Sequence, residues 1–436
     1  MTLVTKEPAA AAVRKATMLP IGVAVVAVVY VLYAWDRIVV PVELVEIRAA
    51  YGLSQSAAGL FASVFTFGLA LTAIAAGLLV VRFGMRAILV TGALLFSACT
   101  GYISIGFNLV DLMLARVGAG VGEGLYNVAV YSFLGSLTER RRGAAAGAAG
   151  SLFGIGPFTG PPAVTWLQAR TGDWRGPFLI LAGIGILGCL AIGAVLRGLP
   201  RTGRTGQPAI PILPRLLSLA TRRNIVVAIV VGVNGVGVYA FISVYETYLR
   251  TVQHLSHSDA SLVFSAFGFG QIIGGLPAGL LADRIGRRPF LIGAALCNAV
   301  LGALAFSLDT GIAPAIVVCL LVGASMNGVY VNGYATVQDQ VDKADIPLGT
   351  GVLATIYFLT ASPSGWLLFQ STDAFGWGLG SILVYTVPYM VAVGLLVLTP
   401  MIGRAETRTE PVATGLPSPA LAVTADPQLG GPDDGV

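Results

Sequence analysis

The chain has 436 residues, of which 56% are hydrophobic and only 11% charged, with a net charge of +5. An average soluble protein carries about a quarter charged residues, so this composition excludes a water-soluble globular domain. The positive excess does not indicate nucleic acid, because the arginines fall at alternate loops, as they do on the cytoplasmic flanks of membrane spans.

Residues 1–17 form a short Ala-rich tail, expected to lack structure. About 20 mainly apolar residues suffice to cross a bilayer as a helix. Such runs follow near residues 18–41, 57–80, 87–107, 109–135, 143–167, 176–199, 223–248, 259–282, 288–308, 312–338, 347–370 and 377–402. The first run contains Asp36 and Arg37 and no small-residue cleavage site, so it reads as a retained span. Residues 200–222 are a basic, proline-containing linker with a short amphipathic helix expected at Arg215–Ala220. The linker divides an N-terminal six-helix bundle (18–199) from a C-terminal one (223–402), and residues 403–436 are a second structureless tail. Clusters at Arg82 and Arg86, Arg140 to Arg142, Arg201 to Arg223, and Arg284 to Arg288 place both termini in the cytoplasm of a multi-pass cell-membrane protein.

The two halves repeat. GLLVVRFGMRAIL (Gly77 to Leu89) aligns with GLLADRIGRRPFL (Gly279 to Leu291), each between the second and third spans of its half. Gly84 and Gly286 suit a tight interhelix turn, and Arg82, Arg86, Arg284, Arg287 and Arg288 face the basic side. With Asp283 these loops read as gating elements rather than substrate contacts.

A charge near the bilayer centre costs about 2.5 to 3.5 kcal/mol on insertion scales, so charges inside spans point to function. Asp36 and Arg37 lie in the first span and Arg116 and Glu123 in the fourth, while Glu246 sits nearer an end of the seventh. Arg116 and Glu123 share a helical face about 10 Å apart. Depth favours pairing of Asp36 with Arg116, which leaves Arg37 to face a cavity and Glu123 as a partly unpaired carboxyl able to take and release a proton. Gly118, Gly120, Gly122 and Gly124 allow another helix to approach closely. In the second half Asn234, Tyr239, Asn327, Tyr330, Asn332, Tyr334 and Tyr357 are polar side chains inside spans. Of these Asn234, Tyr239, Tyr330 and Tyr357 are the candidates for contacting substrate hydroxyls, interhelical hydrogen bonds being the alternative. Trp35 and Tyr126 stand similarly. His254 and His257 occupy a short loop, with pH sensing as their alternative to a passive role. The cysteines, Cys99, Cys189, Cys297 and Cys319, lie in apolar runs without metal-ligand or disulfide spacing.

ADRIGRR (Ala282 to Arg288) is similar to the signature loop of the major facilitator superfamily, G-x-x-x-D-R-x-G-R-[RK], and the first-half copy departs from it at Val81. WDR (Trp35 to Arg37), RVGAGVGEG (Arg116 to Gly124), ERRRGAAAG (Glu139 to Gly147) and GDWRGPF (Gly172 to Phe178) resemble the anion:cation symporter family within it. The resemblance implies an all-α fold of twelve transmembrane helices in two pseudo-symmetric six-helix bundles. It further implies that Arg37 and Arg116 bind a substrate carboxylate while Asp36 and Glu123 couple a proton. GIGPFTGPP (Gly154 to Pro162) is also similar to the G-P-x-x-G-G element of drug and metabolite antiporters, with Pro161 in place of the last glycine. The expectation is a secondary active transporter without cofactor, monomeric, carrying a small organic anion (a carboxylate or sugar acid) in symport with protons. Proton-coupled drug or metabolite efflux is the alternative. No catalytic or nucleotide-binding motif is legible, so an enzyme is not expected.

Overall fold

The computed structural model describes residues 7–137, 142–198, 212–307, 311–341 and 346–399. Expectations for Arg140, Arg141, Arg201 and Arg204, for most of the linker and for the 403–436 tail fall outside those residues. Every regular element among them is helical.

The first half begins with α1 (Glu7–Val42), which ends at the short α2 (Leu44–Tyr51). Then come α3 (Gln55–Ser63), α4 (Phe65–Ala73) and α5 (Ala75–Phe83). Only Val64 and Ile74 separate these three, both in right-handed helical conformation, so they form one span. It is followed by α6 (Met85–Ile103), α7 (Leu109–Leu137), α8 (Arg142–Thr171) and α9 (Arg175–Val195). The linker supplies α10 (Ile212–Leu219), three residues earlier than expected at its start.

The second half comprises α11 (Arg222–Thr251), α12 (His257–Ile285), α13 (Arg287–Ala305), α14 (Ile312–Gln338), α15 (Ile346–Ala361), α16 (Ser364–Ser381) and α17 (Val387–Leu398). Local sequence sets several starts. Ser54, Thr221 and Ser256 each accept a backbone N–H three residues on, satisfying a donor that a helix N-terminus leaves free.

Among the described residues eight stretches are long and apolar enough to cross a bilayer, and the bent α12 adds a ninth. One of the eight, Leu348–Leu398, is 51 residues long and divides at Gly376, whose φ of 75° no helix accepts. With α7, made less apolar by Arg116 and Glu123, and the Gly- and Pro-rich α8, the chain has twelve transmembrane segments in two six-helix bundles. Large side chains such as Leu71, Leu114, Leu187 and Leu398 are exposed, as a lipid-facing surface requires.

The repeat is visible in three dimensions. Gly84 and Gly286 have φ values of 84° and 94°, a region that glycine enters without a Cβ clash, and each joins the second span of its half to the third. Arg86 donates to the Gly193 carbonyl at 2.6 Å. Its counterpart Arg288 donates to Leu396 and Val397 carbonyls at 2.9 and 2.6 Å. Each arginine thus holds unsatisfied carbonyls in the last turn of its half's sixth span. The second half adds an acidic latch, with Arg287 bonded to Asp339 at 2.6 Å and 3.7 Å from Asp283. Met85 and Val81 at the matching first-half positions offer no such groups. Arg82 and Arg284 are exposed.

Across the middle, α1 meets α11, α4 meets α15, α8 meets α12 and α3 meets α16. At the last crossing Gly59 and Gly365 bring two backbones so close that a methyl on either would overlap the other. Beside them Ser63 donates to the Ser362 carbonyl at 2.6 Å and accepts from Gly365 N–H at 3.3 Å. This seam closes the molecule at the end opposite the basic loops.

Candidate functional site

A cavity of about 730 Å³ lies between the halves. Ile38 and Ile242 are at its closed end, and Tyr131, Leu280 and Asp283 line it toward the basic end. The Asp283 side chain is 66% exposed there, so the cavity opens toward the basic loops. Tyr30, Tyr33 and Arg37 line it from one face of α1, at the spacing of three and four residues that aligns helical side chains.

Arg37 is the cation at its heart, 5% exposed. Its Nε donates to Glu123 Oε2 at 2.7 Å, its Nη1 to the Tyr239 hydroxyl at 3.0 Å, and its Nη2 to the Tyr33 hydroxyl. The guanidinium carbon is 4.6 Å from the Tyr33 ring centre and 5.1 Å from that of Phe153, within cation–π range. Three hydrogen bonds and two rings hold the planar head in place, and one of those bonds crosses to the second half.

Glu123 is fully buried, and its Oε1 has no hydrogen-bond donor among the described residues. Asp36 Oδ1 accepts from Thr100 on α6, while Oδ2 also lacks a donor. The two carboxyls interact with each other.

Arg116 departs from expectation. It forms no salt bridge with Asp36 among the described residues. It is fully buried, 4.3 Å from the Phe65 ring centre, and donates to the Ala62 carbonyl at 3.2 Å. The close packing of α4 on α7 sets Phe65 against Arg116 on one side and Tyr239 on the other, and Arg116 does not line the cavity. The packing is made possible by Gly120, which abuts the Phe65 backbone, while Gly122 and Gly124 do the same for α6 and Thr72. Glu123 is tied to Arg37 through Oε2, and only its Oε1 is left unpaired among the described residues.

Of the second-half candidates, Tyr239, Tyr330 and Tyr357 line the cavity, their rings 6.0 Å (Tyr239 to Tyr357) and 5.0 Å (Tyr330 to Tyr357) apart. Asn234 does not reach it. Its amide joins the Met326 carbonyl at 3.1 Å and the Tyr389 hydroxyl at 2.9 Å, an interhelical bond. Asn332 binds the Gly328 carbonyl and Arg287, Trp35 binds Thr159, and Tyr126 binds the Val26 carbonyl. Sequence reasoning missed Tyr33, Asn127, Phe153 and Gln271 as cavity residues. Tyr33 was within reach, four residues before Arg37. The others give no signal before the helices are docked.

The Major Facilitator Superfamily model matches residues 26–362 and 227–425. Among curated proteins the chain is 24% identical over 283 residues to the probable sulfoacetate transporter of Cupriavidus necator, covering 61% of this chain and 65% of that one. It is 26% identical over 364 residues to human monocarboxylate transporter 6, covering 76% and 71% respectively. The chain therefore spans just under two thirds of the first relative and somewhat more of the second. Its fold is similar to a bacterial homologue of the human lysosomal transporter Spinster, crystallised in an inward-facing and occupied conformation. That likeness has a TM-score of 0.67 at 17% identity, over 86% of this chain and 93% of that one. Family match, twelve spans and a cavity between two repeated halves agree, and the chain belongs to the Major Facilitator Superfamily of membrane transporters.

Proposed function

We propose that the chain is a proton-coupled symporter of a small organic anion, working by alternating access, with the basic loops and both termini in the cytoplasm. The observation that carries this reading is the charge balance at Arg37. Two guanidinium groups, Arg37 and Arg116, meet two carboxyls, Asp36 and Glu123, so the buried cluster is neutral when all four are ionised. A substrate carboxylate that takes over the forked donors of Arg37 leaves this cluster one negative charge in excess. Inside a bilayer that excess is costly, and protonation of Glu123 or Asp36 removes it. Anion and proton then bind together and leave together.

The walls narrow the substrate. Arg37 presents one cation beside Tyr33, Phe153, Tyr239, Tyr330 and Tyr357, which suits a single carboxylate on a flat or apolar body bearing few hydroxyls. The names of the two relatives support an anion in the same way. The carrier works as a monomer.

A thermal-shift screen of the purified chain against benzoate, gluconate and succinate tests the class, since a ligand stabilises the state it binds. Benzoate should raise the melting temperature most. Labelled benzoate should then accumulate in proteoliposomes with an acidic exterior. Stabilisation by cationic amphiphiles alone, with a pH gradient driving exit instead of entry, would replace this reading with proton-exchange export.

A further inference from the structure

The end of the molecule opposite the basic loops holds buried charges that the cavity does not use. Glu43 follows the first span, at the junction of α1 and α2. It is 0% exposed, and neither of its carboxylate oxygens meets a hydrogen-bond donor among the described residues. From the other half α11 brings Glu246, whose Oε1 accepts from Ser261 at 2.9 Å and lies 3.4 Å from His257 Nε2 at the start of α12. Glu246 Oε2 has no partner. Alongside, Glu46 of α2 pairs with Arg250 of α11 through two hydrogen bonds, one of 2.8 Å, which ties the halves together. Asp173, in the turn between α8 and α9, also acts on Glu43, and pairs with Arg175 at 3.6 Å.

The distribution of cations is uneven. Glu46 has Arg250, Asp173 has Arg175, and Glu246 has the imidazole of His257. Glu43 has no ion-pair partner among the described residues, and feels the charges of Glu46, Glu246 and Asp173 against that of Arg250 alone. We infer that Glu43 is a second proton-binding site, which fills when this end of the carrier closes and empties to the same side when it opens. The inference rests on the alternating-access reading and on this end being external.

Closure strips water from Glu43 by docking α11 over the α1–α2 junction. Burial, reinforced by Glu46 and Glu246 and opposed by Arg250, pushes its carboxyl from the usual 4.5 up to about 9. Between those two values the closed end holds a proton that the open end has released, so acid favours closure and rising pH weakens it. The closed-to-open ratio falls by up to about tenfold per pH unit across that window. Because the proton returns to the side from which it came, it adds no driving force. It sets how readily a loaded carrier shuts behind its substrate.

The test reads the outer end directly and needs no substrate. Nitroxide labels go on Ala50→Cys in α2 and Ser258→Cys in α12, both exposed. The carrier is the full chain with its 4 native cysteines replaced by serine. Pulsed electron spin resonance in nanodiscs then gives the distance distribution between about pH 5 and about pH 9. The same series with Arg250→Gln, which removes the ion pair between the halves, brings more of the open form into view. The short-distance population should fall as pH rises in both backgrounds. With Glu43→Gln it should stay short throughout. Titration by Glu43→Gln that matches the parent, or opening that ignores pH in all variants, overturns the proton site while leaving alternating access intact. One fixed distance at every pH, even with Arg250→Gln, overturns alternating access and this inference with it.

Discussion

The two halves share a frame and divide the chemistry. Arg86 and Arg288 grip the ends of α9 and α17 in the same manner, and Gly84 and Gly286 turn the chain at matching points. Yet the intramembrane charges near the cavity all come from α1 and α7 of the first half, as Asp36, Arg37, Arg116 and Glu123. Within its depth the second half contributes neutral groups, Tyr239, Gln271, Asn327, Tyr330 and Tyr357, and the second-half acid that lines the cavity, Asp283, stands at the mouth. Duplication fixed the hinge machinery, whereas charge recognition sits in one half and shape in the other. Arg37 Nη1 on the Tyr239 hydroxyl is where the two meet.

Three substitutions press on this division, the strongest first. Arg37→Lys keeps the charge but loses the fork that holds Glu123 and Tyr239 and would grip a carboxylate. A hydrogen bond to a charged group is worth about 1.5 to 3 kcal/mol, so anion uptake in proteoliposomes should fall about tenfold to a hundredfold while membrane insertion survives. Uptake equal to the parent by Arg37→Lys and by Arg37→Ala would remove charge recognition from the first half. Glu123→Gln mimics the protonated carboxyl permanently. Counterflow of labelled anion should persist and pH-driven accumulation should vanish; full accumulation would transfer the proton to Asp36. Tyr239→Phe removes one neutral partner from Arg37, and a loss of about 1 kcal/mol predicts roughly fivefold weaker apparent affinity. Its accumulation ratio should stay at the parent level. A lost ratio would mean that coupling runs through both halves.

The fold was legible because a membrane leaves few alternatives. Backbone groups in lipid must be satisfied within a helix or a closed barrel, so long apolar runs pointed to a helical bundle even though α7 and α8 are less apolar than the rest, and the repeated Gly77 to Leu89 and Gly279 to Leu291 segments paired the halves. The buried charges stood out in the sequence, whereas their wiring, and the absence of Arg116 and Asn234 from the cavity wall, did not. Buried charge is rare enough in lipid to mark Asp36, Arg37, Arg116 and Glu123 from the sequence. Which carboxyl meets which guanidinium depends on helix rotation, and that is set by packing. Gly120 lets Phe65 slide over Arg116, Thr100 takes Asp36, and Arg37 is left for Glu123. None of these three events has a signature along the chain. Asn234 shows the opposite limit, since a buried amide reads the same whether it serves a ligand or a neighbouring helix.

The seam at Gly59 and Gly365 answers to different conditions from the ion pair above it. Glu46 and Arg250 are partly exposed, and at about 0.1 M salt charges are screened over about 10 Å. The seam is backbone against backbone, fastened by the Ser63 hydroxyl to Ser362 and Gly365, with no charge for salt to screen. Ionic strength therefore loosens the rim and leaves the barrier beneath it tight, so a carrier in brine would open more often at its lip without leaking through its middle.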